Sequence, residues 1–65
     1  MEILWNGTPQ EVPEGMAVSE FLAAHGLKPD AVVVELNDAI FGTEETGRAL
    51  AAGDRLNVFR IVAGG

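Results

Sequence analysis

The side chains of this sequence offer little chemistry, and its backbone offers one group that could react. Among 65 residues there is no cysteine, no tyrosine and a single histidine, His25. A thiol nucleophile, a Cys-based metal set and a persulfide on the chain's own side chains are therefore excluded. No His-Glu-x-x-His spacing occurs either. The closing run Arg60-Ile61-Val62-Ala63-Gly64-Gly65 is the exception. Two glycines cannot pack or cap, and ordering them costs more backbone entropy than ordering any other residue. They suit delivery instead. A terminal glycine carboxylate is an unhindered acyl group on a thread without Cβ atoms, which a partner's narrow channel can admit. Chain ends are also often small and frayed, so the elements that carry the tail must decide its meaning.

Composition narrows the classes. A chain this short makes one domain and buries about 60% of the surface its unfolded form exposes. Its 48% apolar content suffices for one sheet with one helix across it, and no active-site cavity of its own is expected. The formal net charge is −6. Lys28, Arg48, Arg55 and Arg60 are too few and too scattered to neutralise a phosphate backbone, so nucleic acid is excluded as a direct ligand. An acidic surface favours solubility and suits a basic partner. No stretch approaches the roughly 18 apolar residues of a membrane span, and Met1-Glu2 does not open a signal peptide, so the expected location is the cytoplasm.

The elements read in order. Glu2 to Asn6 is a strand ended by Asn6-Gly7, a hairpin signal because both residues tolerate positive φ. Thr8 to Val12 returns antiparallel, with Pro9 acceptable only on an edge. Val18, Phe21 and Leu22 mark one face of a helix closed by Gly26, while Ala17 stands where Ser or Thr would cap better. Ala31 to Leu36 is a β-branched strand, Asn37-Asp38 a turn, and Ala39 to Phe41 a short strand. Residues 43–52 suggest a loop with one irregular helical turn and Leu50 pointing inward. Arg55 to Ile61 is the last strand. One helix between two hairpin-like halves predicts an α+β, β-grasp fold: a mixed four- to five-stranded sheet with the helix across one face. Residues 1–61 form the domain and 62–65 a flexible tail.

Four stretches resemble the ThiS/MoaD family of sulfur carriers, relatives of ubiquitin, over essentially the whole length. They are Met1 to Gly7, Gly15 to Leu22, Leu50 to Leu56, and the ending Val58 to Gly65. The total length and the Val-Ala-Gly-Gly close are more similar to ThiS than to MoaD. The resemblance implies a protein co-substrate rather than an enzyme. A ThiF-like adenylating enzyme would join the Gly65 carboxylate to AMP, consuming ATP and Mg²⁺ that the carrier itself does not bind. A sulfur donor, such as a cysteine desulfurase, would supply the atom that makes a thiocarboxylate. Thiazole synthase would then take that sulfur in thiamin biosynthesis. By the same carry-over Gly65 is the reactive residue, and Gly64, Ala63 and Val62 form the thread, which extended reaches about 13 Å.

Alternation along the strands predicts a docking surface as well. Ile3, Trp5, Val32, Val34, Leu36, Leu56 and Val58 would join Phe21 and Leu22 in the core. Leu4, Val33, Phe59 and Ile61 would then lie on the uncovered face as a candidate partner patch. His25 is a cap or surface residue, and Glu44-Glu45 a solvated pair. Rival readings keep the β-grasp body and change its use: a carrier for molybdopterin or tRNA thiolation, a ubiquitin-like protein modifier, or a passive interaction domain.

Overall fold

The computed structural model describes residues 1–61. Strand β1 (Glu2–Trp5) turns through Asn6 and Gly7, at φ +49° and +84°, into β2 (Thr8–Glu11). Helix α1 (Val18–Ala24) follows, then a single 3-10 turn over Pro29–Ala31. Strand β3 (Val32–Leu36) turns through Asn37 and Asp38 into β4 (Ala39–Phe41). A 3-10 turn over Thr43–Glu45 and a loop lead to β5 (Arg55–Arg60). The five strands lie in the order β2-β1-β5-β3-β4. β1 and β5 are parallel, and the other neighbours are antiparallel. With α1 across one face this is the β-grasp fold, and Pro9 occupies the edge strand its missing N–H requires.

Two ends differ from expectation for local reasons. Ala31 closes the 3-10 turn rather than opening β3, because Pro29 at the start of that turn fixes φ for helical geometry. Ile61 lies past the end of β5, although its amide still donates to the Ala31 carbonyl at 3.4 Å.

Helix α1 begins without a side-chain cap, since Ala17 has no acceptor. The loop after β4 replaces it. The Val18 amide donates to the Arg48 carbonyl at 2.9 Å, and the Ser19 amide to the Thr46 carbonyl at 2.8 Å. Glu20 reaches back to accept the Ala17 amide at 2.9 Å. These contacts hold residues 43–52 under the helix start, where Leu50 is buried as anticipated.

The core consists of Ile3, Val12, Val18, Phe21, Leu22, Val32, Val34, Leu36, Leu50 and Leu56, with Trp5 and Val58 half-buried at its margin. Each fully buried side chain of this size contributes about 1.5–3 kcal/mol. Trp5 meets Phe21 edge to face, their ring centres 5.0 Å apart. Alternation placed Ile3, Val32, Val34, Leu36 and Leu56 in the core as expected, and Trp5 and Val58 on the same face but only half-buried. Val12, just beyond β2, is the core residue it did not reach.

Candidate functional site

The site is built around the end of β5. This strand is central, so the chain leaves the body from the middle of the sheet rather than from a corner. Val62, Ala63, Gly64 and Gly65, the predicted thread and reactive residue, lie outside the described residues. Ile61 is their root and is 59% exposed.

The sheet face opposite α1 carries the predicted patch in a reduced form. Val33 and Phe59 are direct cross-strand partners. They are 36% and 55% exposed, while Ile61, expected beside them, follows the end of β5 and lines a hollow on the helix side. Leu4 does not join them. It is half-buried and paired in register with Arg55, four residues down β5 from Phe59, which is about 13 Å along the strand. Asn57 stands between, donating to Glu35 Oε1 at 3.1 Å. The single continuous patch expected from alternation is therefore divided by a polar row. Alternation gives the face a residue is on, and only the register between strands gives its neighbours.

That register adds Ile40, which sequence reasoning placed in a strand without assigning it a role. It pairs with Glu35 and lies diagonal to Val33 on the same face, 71% exposed. The signal was present in Ala39-Ile40-Phe41, where inward Phe41 requires Ile40 to face out. The apolar cluster near the tail's root is thus Val33 and Phe59, with Ile40 at its edge and Ile61 just beyond the strand end.

On the helix side, the same end of the sheet is open. Two adjoining hollows of about 320 and 260 Å³ share Leu27 and Arg60 in their walls. Lys28 and Ile61 line the first, and Trp5, His25 and Val58 the second. Lys28 and Arg60, far apart in sequence, are gathered here.

The remaining charged candidates have local duties. His25 closes α1, its Nδ1 lying 3.0 Å from the Phe21 carbonyl oxygen and its ring 4.3 Å from that of Phe21. Glu45 accepts the Gly42 amide at 2.9 Å, and Asp38 pairs with Arg55 at 2.9 Å. Among the described residues there is no group of three or more His, Asp or Glu side chains that could hold a metal ion. Among the described residues no helix is long and apolar enough to cross a membrane.

The five-stranded mixed sheet with one helix across one face and the last strand at its centre defines a β-grasp, ubiquitin-like fold. The chain belongs to the ThiS family, whose model matches residues 3–65, and is a ThiS-type sulfur carrier rather than a catalyst. A crystal structure of the thiamine biosynthesis protein ThiS from Geobacter metallireducens superposes with a TM-score of 0.83 at 29% identity, covering 100% of each chain. A solution structure of a thiamine biosynthesis protein from the same organism gives 0.79 at 29% identity, covering all of this chain and 88% of that one. No curated protein matches the chain.

Proposed function

We propose that this protein carries sulfur for the thiazole ring of thiamin on the backbone carbonyl of Gly65. The observation that carries the reading is the family match running through the Gly-Gly end, joined to a tail root that leaves the centre of the sheet. A C-terminal carboxylate is an anion at neutral pH and resists nucleophiles. Attack of that carboxylate on the α-phosphorus of ATP releases pyrophosphate and gives an acyl adenylate, with the charge removed and a good leaving group in place. The terminal sulfur of a donor persulfide then attacks the acyl carbon and AMP departs, giving an acyl disulfide. A thiol attacks the donor's sulfur of that disulfide, forming a new disulfide with the donor and releasing the thiocarboxylate. The thiocarboxylate is the nucleophile delivered to thiazole synthase.

In this scheme the catalytic groups, ATP and Mg²⁺ belong to a ThiF-like partner, and a cysteine desulfurase is a suitable donor. The chain contributes a handle and a thread. Gly64 passes the constriction next to the adenylate, Ala63 and Val62 span the distance from the body, and Val33, Phe59 and Ile61 dock. Leu4 sits apart from that contact.

Intact mass spectrometry after incubation with a ThiF-like enzyme, ATP and a sulfur source tests the reading. The expected result is a single oxygen-to-sulfur exchange, located by fragmentation at Gly65. Conjugates of higher mass point to a protein modifier, and an unchanged mass defeats the carrier reading. Carriage for thiamin in particular is tested by deleting the gene, which should create a requirement for the thiazole precursor that no variant lacking Gly65 relieves.

A further inference from the structure

We propose that the cleft on the helix side of the tail's root is a second contact surface for the activating protein, and that it takes a carboxylate side chain of that protein between Lys28 and Arg60. The inference rests on the carrier reading and names a feature of the partner that reading leaves open.

The cleft follows from a mismatch of lengths. Helix α1 has seven residues and is about 10 Å long. Strand β5 has six and is about 20 Å long. The helix therefore covers only part of the face beneath it. Exposure rises along the β5 residues that point towards it: Leu56 is buried, Val58 half-buried and Arg60 exposed. Beyond Gly26 the chain descends through Leu27 and Lys28 to Pro29, and the two hollows open where the helix stops.

The chemistry of the cleft opposes that of the molecule around it. The chain carries a formal charge of −6, so an anionic group is repelled from most of its surface. Its four Lys and Arg residues are not equivalent. Arg55 is engaged by Asp38, and the Arg48 guanidinium lies 5.8 Å from the centre of the Phe41 ring. Lys28 and Arg60, far apart in sequence, line one hollow. Two cationic residues bordering a hollow that Leu27 and Val32 also line suit the carboxylate of a Glu or Asp, because a partly dehydrated ion pair is stronger than one in water. Two cations are too few for a nucleic acid backbone.

The position gives the contact its purpose. Ile61, just past the end of β5, lines the cleft, and Phe59, two residues earlier, belongs to the apolar cluster on the face opposite the helix. A partner that holds both sides clamps the last turn of chain before the thread and fixes its direction of entry. Charge makes the clamp an orientation device, since the reverse approach meets an acidic surface.

The test is pyrophosphate exchange by the ThiF-like enzyme at varied carrier concentration. It compares wild-type protein with Lys28→Gln/Arg60→Gln and with Arg48→Gln/Arg55→Gln, which loses the same charge elsewhere. Circular dichroism checks that each variant is folded. The expected result is a KM about tenfold higher for the cleft variant alone, with kcat within about twofold of wild type. An equal rise in both variants assigns the effect to net charge and overturns the proposal. So does an unchanged KM, and so does a fall in kcat alone, which would mean that the cleft positions the tail rather than binding the partner. Wild-type protein that supports no exchange overturns the carrier reading and this inference with it.

Discussion

The Asn37 side-chain amide donates to Asp54 Oδ1 at 2.9 Å, tying the β3–β4 turn to the turn that enters β5. The pair sits in a closed set of bonds. Asp54 Oδ2 accepts the Ala51 amide at 2.8 Å, and Asn37 Oδ1 accepts the Arg55 amide at 2.9 Å. Asp54 is buried, so each partner it loses is left without water to replace it. Asp54→Ala should destabilise the fold by about 1–3 kcal/mol. Asn37→Ala should cost a similar amount, because it also places alanine at φ +51°. Urea denaturation followed by Trp5 fluorescence measures both, and a change under about 0.5 kcal/mol in either would refute a structural role for the pair.

Ala17→Ser is a second stability test with a smaller expected effect. A serine cap normally gains about 1 kcal/mol over alanine. Here the Val18 and Ser19 amides already have carbonyl partners from the loop, so the new hydroxyl gains chiefly the Glu20 amide. The expected gain is about 0.5 kcal/mol, equivalent to a rise in Tm of a few degrees for a domain of this size. A full-sized gain would mean that the loop bonds are weak in solution.

Phe59→Asp tests the apolar cluster. Phe59 faces solvent beside Val33, so the substitution should leave the melting temperature within a few degrees of wild type. Adenylation at low carrier concentration should fall by at least about tenfold, as for loss of an aromatic anchor. Leu4→Asp, on the far side of the Asn57–Glu35 row, should reduce it far less. Equal losses from the two variants would restore the continuous patch.

Gly64→Ala separates threading from folding. Gly64 lies outside the described residues, and the hydrophobic core is built from Ile3 to Leu56. Stability should be unchanged while adenylation falls by about a hundredfold or more, because a misplacement near the reacting atoms of about 1 Å costs that much. Wild-type exchange rates in this variant would remove the narrow-channel argument for the glycines.

Most of the architecture was legible in the residues because it rests on local rules. Asn6-Gly7 required positive φ, Val18, Phe21 and Leu22 marked a helix face, and alternation in β3 and β5 separated core from surface. What escaped was set by contacts between residues remote in sequence. Ala17 looked like a weak helix start until the carbonyls of Thr46 and Arg48 were found beside it. Leu4 looked like a neighbour of Phe59 until the parallel register of β1 and β5 placed it beside Arg55. Lys28 and Arg60 looked scattered until a short helix left them lining one cleft. Period and propensity act over a few residues and fix which way a side chain points. Which side chains it then meets is decided by register and by helix length against strand length, and those exist only once the chain has closed on itself.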